Sequence, residues 1–310
     1  MKKNLVICFI MALLVIFQGC SMTDEEQSAE PQYIEVIENE TYSIVEMFDE
    51  YHFAGTILGD SGFIACNTAD SNLYVMNDSG EIKYTWGQLG NGENEFLHPT
   101  SITRSGECYY VLDAGNKRIQ LYSNDLQYIG TIELEELENT NEVYYLDLSV
   151  SDKGVVYITT NSPFSDTSRV NIVNTDGELI LSKKAMHGFT YCDGNVAYCV
   201  NTFEVVETED SITSSFSHSY LYIISEDGSM EIKTELPYKY GPADFIVDGE
   251  DLYILSSAWG RLDHFTTNGE YIDTICRFEN GLYPESYISQ TENGFIVTDT
   301  YVGVTYIISK

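Results

Sequence analysis

From Phe53 onward the chain alternates short apolar runs with turn signals, and no run of helical period is long enough for an amphipathic helix. One strand-like run recurs: Phe63-Ile64-Ala65-Cys66, Tyr110-Val111-Leu112-Asp113, Tyr157-Ile158-Thr159-Thr160, Tyr198-Cys199-Val200-Asn201, Tyr253-Ile254-Leu255-Ser256 and Phe295-Ile296-Val297-Thr298. The aromatic starts lie 47, 47, 41, 55 and 42 residues apart. Aromatic and β-branched residues in short stretches predict strands. After most of them come a second strand and a hairpin turn, at Asn77-Asp78-Ser79-Gly80, Asn174-Thr175-Asp176-Gly177, Glu226-Asp227-Gly228 and Thr267-Asn268-Gly269. In each the glycine supplies the positive φ that the turn requires. Ser123-Asn124-Asp125 makes the corresponding turn without one. Pro99, Pro242 and Pro284 each precede an aromatic start by 11 residues. Proline has no N–H to give to a ladder, so it suits the beginning of a strand.

Six copies at this period, each with about four short strands, predict an all-β, six-bladed β-propeller. A pair of β-sandwiches would not repeat a proline-to-aromatic spacing. Each blade can bury its faces only against its neighbours, so the ring has to close. The last unit ends at Lys310 one strand short. An N-terminal strand, residues 33–37 or 42–47, is expected to complete it and remove the open edge.

The N-terminus reads differently. Lys2 and Lys3 precede an uncharged, almost wholly apolar run over residues 5–17, which is too short to span a bilayer as a helix and matches a signal-peptide core. It ends in Gly19-Cys20, which resembles the lipobox of bacterial lipoproteins, in which the cysteine is acylated and becomes the new N-terminus. Residues 1–19 are therefore expected to be a lipoprotein signal peptide, residues 20–32 an acidic flexible tether, and residues 33–310 the propeller. Cys20 is the expected lipid attachment site, on the extracytoplasmic face of a bacterial cell membrane; several acyl chains hold where one does not.

Charge narrows the partners. The 310 residues carry 15 Lys+Arg against 49 Asp+Glu, a formal net charge of −34. A surface this acidic repels phosphate backbones and anionic headgroups alike, which excludes nucleic-acid binding and leaves lipid rather than charge as the membrane attachment.

The second unit carries the most explicit motif. Gly87-Gln88-Leu89-Gly90-Asn91-Gly92-Glu93-Asn94-Glu95-Phe96-Leu97-His98-Pro99, followed by Tyr110-Val111-Leu112-Asp113-Ala114-Gly115-Asn116-Lys117-Arg118-Ile119, resembles an NHL repeat. The third unit keeps Arg169-Val170 and the fifth Arg261-Leu262, while the fourth has an acidic, Ser/Thr-rich insertion over residues 204–219. The whole resembles NHL-type propeller lipoproteins, a resemblance that implies a ring around a central channel and a range of roles from binding scaffolds to lyases. Pro99, Asp113, Asn116, Arg118, Pro242 and Pro284 are read as the structural repeat motif: the Asx side chains satisfy turn backbone, and Arg118 pairs with a carboxylate between strands.

Catalytic signatures are sparse. His52, His98, His187, His218 and His264 show no zinc spacing, and the sequence contains no Cys-x-x-Cys, nucleophile elbow or calcium loop. A Ca²⁺ ion in the channel or on the rim would suit the charge; otherwise no cofactor is expected. After Cys20 the cysteines are Cys66, Cys108, Cys192, Cys199 and Cys276, too irregular for a disulfide framework, although Cys192 and Cys199 flank one turn. Arg104, Trp259 and Arg261 are the candidate ligand-binding residues: arginines are scarce here, and an aromatic beside one can stack on a sugar or clamp a peptide. The expected function is a monomeric, membrane-anchored binding or scaffold module for a cell-envelope protein, peptide or glycan. The alternative is an NHL-type lyase or hydrolase with a metal and with His98 and His187 converging in the channel.

Overall fold

The structure, a computed structural model, describes residues 36–310 apart from 49–52, 60–61, 78–79, 135–143, 162–168, 185–187, 203, 208–211, 216 and 226. Six four-stranded antiparallel sheets form the blades of a propeller. From the axis outward, blade 1 is Phe53–Gly59, Gly62–Asn67, Asn72–Met76 and Ile82–Trp86, and blade 2 is Pro99–Ser105, Cys108–Asp113, Arg118–Ser123 and Tyr128–Glu133. Blade 3 is Tyr144–Val150, Val156–Asn161, Arg169–Val173 and Leu179–Lys184; blade 4 is Gly188–Asp193, Val196–Asn201, Tyr220–Ile224 and Met230–Glu235. Blade 5 is Pro242–Asp248, Asp251–Ser256, Arg261–Thr266 and Tyr271–Arg277. Blade 6 is Ser286–Thr291, Gly294–Asp299 and Val304–Ser309, with Ser43–Phe48 as its outermost strand. The acidic insertion of the fourth unit contributes a separate hairpin, Glu204–Glu207 with Ile212–Ser215.

The recurring aromatic runs are the second strands. They read as nearly continuous apolar stretches because both of their faces are covered, one by each neighbouring blade. The core is divided accordingly, with one apolar cluster at each interface between blades; Ile64, Trp86, Phe96, Tyr109 and Tyr122 fill the one between blades 1 and 2. First strands pack on one another around the axis, that of blade 6 against that of blade 1.

Those first strands share an irregularity. In blades 1, 2, 3 and 5 the register shifts near the start, at Ala54/Thr56, Pro99/Ser101, Tyr145/Asp147 and Pro242/Asp244. A bulge of this kind re-aims the residue that follows it, and at all four places that residue is polar. Gly55 occupies the bulge of blade 1 at φ +62, where an added Cβ would stand 3.1 Å from Ser101 Cα. Only glycine fits both that conformation and that approach.

Each first strand runs from the face that bears the linkers between blades, here the upper face, to the lower face. The upper face also bears the turns between second and third strands, and the lower face bears the hairpins predicted from sequence, closed by bonds such as Gly177 N–H to Asn174 O and Gly269 N–H to Thr266 O. Ser43–Phe48 pairs antiparallel with Val304–Ser309, Ser43 opposite Ser309. Just before it, residues 37–39 lie along the outer strand of blade 5, where the Thr274 amide donates to Ile37 O at 2.7 Å. The signal peptide, Cys20, the tether, and Tyr33 of the first proposed closing strand lie outside the described residues. No helix among the described residues is long and apolar enough to cross a membrane.

Candidate functional site

Two places gather polar chemistry inside the fold: the axis and the upper rim. At the axis the bulges aim side chains from blade to blade. Asp147 accepts from Ser101 Oγ at 3.0 Å on one side and from the Thr190 amide at 3.0 Å on the other, joining blades 2, 3 and 4. Asp244 accepts from the Phe245 amide at 2.8 Å and from the Ile288 amide of blade 6 at 2.9 Å. Ser289 Oγ donates to Thr56 O, joining blade 6 to blade 1. These partners are amides and hydroxyls, not cations. Burial, the largest cause, pushes the Asp147 and Asp244 carboxyls above the usual carboxylate range, and the charge of Asp147 raises Asp244 further. Asp147 is buried, whereas Asp244 keeps part of its surface accessible. Tyr287 of blade 6 stands edge-on to Phe189 of blade 4 at 5.8 Å, a contact that reaches past blade 5 and so lies across the channel. Burial first, then the charges of Asp147, Glu285 and Asp244, raise its hydroxyl well above the ordinary tyrosine value.

The upper rim of blade 2 is a closed network. Asp113 is fully buried, accepts from the Leu97 amide at 2.6 Å and from Arg118 Nε at 2.8 Å, and sits directly across the ladder from Arg118. Arg118 Nη1 donates to Asn91 O at 2.8 Å, and Nη2 donates to Gly92 O and Glu95 O, both at 2.9 Å. Asn116 donates to Gly90 O and to Asp113, each at 2.8 Å. Gly115 is needed because an added Cβ would stand 2.5 Å from Leu97 O. The motif residues thus fasten the glycine-rich linker to the blade, and their polar groups are taken up in doing so. Pro99 and Pro242 open first strands, and Pro284 lies just before one.

Blade 5 carries Arg261 at the position of Arg118. Its Nε donates to Asp263 at 2.6 Å, and its guanidinium carbon lies 4.3 Å from the centre of the Trp259 ring, a cation–π stack. Trp259 is partly exposed and meets Tyr240 edge-on at 5.0 Å, while the Tyr240 hydroxyl donates to Asp263 at 2.8 Å. Burial, the dominant cause, raises the Asp263 carboxyl, against which the Thr274 hydrogen bond and the Arg261 charge act. Arg261 Nη2 is buried without a hydrogen-bond partner among the described residues. Arg104 does not join this pair. It stands at the lower end of the first strand of blade 2, over the Tyr109 ring at 5.4 Å, with Nε donating to Gly106 O at 3.3 Å. Sequence alone groups the two arginines; the direction of a first strand separates them by the height of a blade.

The described histidines are dispersed. His98 meets Thr68 O on the upper rim at 3.0 Å, His218 meets Glu235 at 2.8 Å on blade 4, and His264 stacks on Tyr253 in blade 5 between Asp251 and Asp273. His52 and His187 lie outside the described residues. Among the described residues no group of three His, Cys, Asp or Glu side chains is placed to hold a metal ion. Cys192 and Cys199 are free thiols; the ladder sets Cys199 opposite Thr190 and Cys192 opposite Ala197. Burial pushes each of these two thiols up to about 12.

Sequence reasoning missed Asp147, Asp244 and Tyr287. A signal existed for the first two: each is a carboxylate inside an otherwise apolar run, and Asp244 stands two residues after Pro242 as Ser101 stands two after Pro99.

Axis and rim together define a six-bladed propeller whose channel is crossed by aromatic side chains. Residues 56–244 match the DUF5128 family, six-bladed beta-propellers, and the chain belongs to that family. No curated protein matches it in sequence. Among solved structures it is similar to virginiamycin B lyase from Staphylococcus aureus, at 12% identity over 87% of this chain and 99% of that one, with a TM-score of 0.55. It is also similar to the calcium-binding protein regucalcin from Agrobacterium tumefaciens, at 14% identity over 82% and 88% with a TM-score of 0.56. A protein of unknown function from Bacteroides thetaiotaomicron is similar at 13% identity over 86% and 76%, TM-score 0.59. At such identities the likeness is one of fold.

Proposed function

We propose that the chain is a binding module of the bacterial cell envelope, an NHL-type propeller held at the extracytoplasmic face of the membrane by acyl chains on Cys20 and presenting its upper face to a protein, peptide or glycan. The observation that carries the binding reading is the rim of blade 5. There a partly exposed Trp259 lies on a buried Arg261 whose Nη2 has no partner among the described residues. Natural structures seldom leave a buried donor unsatisfied, and the exceptions call for a ligand, a water or a function. Closure of the ring by Ser43–Phe48 belongs to the same reading and is supported by its ladder with Val304–Ser309.

The anchor and the binding role are tested separately. Cys20→Ala is expected to move the protein from the membrane fraction to the soluble one; undiminished retention removes the anchor. The detergent-solubilised full chain, probed on peptide and glycan arrays, is expected to give saturable binding to one class. Absence of binding to both removes the binding role.

A further inference from the structure

Blades 2 and 5 are in register residue for residue at the upper rim, Pro99, Tyr110 and Arg118 corresponding to Pro242, Tyr253 and Arg261. In that register Asn116 corresponds to Trp259, Asp113 to Ser256 and Gln120 to Asp263. The carboxylate has therefore moved from the second strand to the third, and the side chain that fastens the linker has become an indole. The linkers differ too: residues 87–98 in front of blade 2, residues 236–241 in front of blade 5. The long linker places three carbonyl oxygens, those of Asn91, Gly92 and Glu95, on the outer edge of the Arg118 guanidinium. The short one folds inward instead, with Tyr240 O accepting from Ser256 Oγ at 2.5 Å and the Leu236 amide donating to Ser219 O at 2.8 Å. Among the described residues Nη2 of Arg261 is left unpartnered.

We infer that the rim of blade 5 beside its short linker is a peptide site, in which successive backbone carbonyls of an extended, uncharged segment take the Nη edge of Arg261 as the protein's own glycine-rich linker takes that of Arg118. Two facts select neutral carbonyl oxygens over an anion. Arg261 already has a carboxylate on its Nε edge in Asp263, and the chain carries a net charge of −34 that repels anionic ligands. Nη2 is buried and Trp259 covers one face of the guanidinium, so an arriving segment reaches that edge by displacing the indole. The inference rests on the binding reading above and names its ligand class.

The probe is a synthetic peptide of residues 87–97, N-acetylated and C-amidated, with both glutamates replaced by glutamine. It is titrated into the full chain in detergent while the two tryptophan indole N–H resonances are followed by NMR, Trp86→Phe assigning them. The expected result is a saturable shift of the Trp259 resonance alone, with Arg261→Lys, which keeps the charge and loses the fork, weakening binding at least tenfold. Because the wild-type shift is read without any substitution at the site, an unstable Arg261→Lys does not rescue the idea. No shift at millimolar peptide, a shift of Trp86 instead, equal affinity in a folded Arg261→Lys, or a response to acetate but not to the peptide each overturns it. A glycan hit on the arrays combined with no peptide response retains the binding module and removes the peptide site.

Discussion

The protein buries carboxylates at the rim and at the axis, and two pairs of them are treated in opposite ways; Asp299, on the rim of blade 6, accepts from amides as the axial pair does. On the rim, Asp113 and Asp263 each face an arginine, at 2.8 and 2.6 Å. At the axis, Asp147 and Asp244 face amides and hydroxyls. The rim holds ion pairs that fasten linkers to blades, where a missing partner leaves an uncompensated charge. The axis holds proton-seeking acceptors that stitch neighbouring blades through bulged first strands. The centre of the ring uses hydroxyls and backbone donors instead.

The strongest way to break this contrast is on the rim. Arg118→Met keeps the apolar stem but strands Asp113 and three linker carbonyls, and is expected to cost about 3–5 kcal/mol in urea denaturation. A loss below about 1 kcal/mol would refute the picture of the rim as a set of fastened ion pairs.

The axis gives a smaller effect. Asp147 and Asp244 each accept from two backbone amides, Thr190 and Leu148 for the first, Phe245 and Ile288 for the second, so an asparagine at either place turns one N–H₂ toward an N–H donor. Asp147→Asn and Asp244→Asn are each expected to cost about 1–3 kcal/mol near neutral pH, read by urea denaturation. Stability at the axis also depends on pH. Raised folded-state pKa values mean that the stability tied to these two protons is fully present below about pH 4, where the unfolded chain is protonated as well. It is lost as pH rises through the raised values. Thermal melts of the wild type should therefore fall over that window, and the slope should flatten in the Asp147→Asn/Asp244→Asn double variant; an unchanged slope would assign the dependence elsewhere.

The smallest effect lies in the linker. Glu95 is held below the ordinary glutamate value, chiefly by the Gly92 amide and then by Gln88. Its contribution is present above about pH 4.3 and is lost as pH falls through the lowered value. Glu95→Gln should speed hydrogen exchange at Asn91 and Gly92 and leave the global melt unchanged.

The repeat was legible because it is local. An aromatic strand, a glycine turn and a proline at fixed spacing recur, and each acts through its own backbone, so six blades can be counted along the chain. That Trp259 stands beside Arg261 was legible for the same reason, two residues on one turn; that the indole stacks on the guanidinium itself was not. What was not legible is whatever the ring assembles. Asp147 and Asp244 belong to blades that are not neighbours, and nothing near either in sequence announces the other. Arg104 shows the complementary failure: its chemistry resembles that of Arg261, and only the alternating direction of strands sends it to the other face.

The outer strand of blade 6 has a mechanical consequence. Because residues 37–39 run along blade 5 and Ser43–Phe48 along blade 6, whatever precedes them joins the ring at its circumference, with Ser43 beside Ser309 at the lower side. For a propeller anchored at Cys20, the point of attachment is then like a hand on the edge of a wheel, away from the axle. A pull on that tether falls first on the bonds between residues 37–39 and blade 5, before it reaches the Ser43 end of the blade 6 ladder.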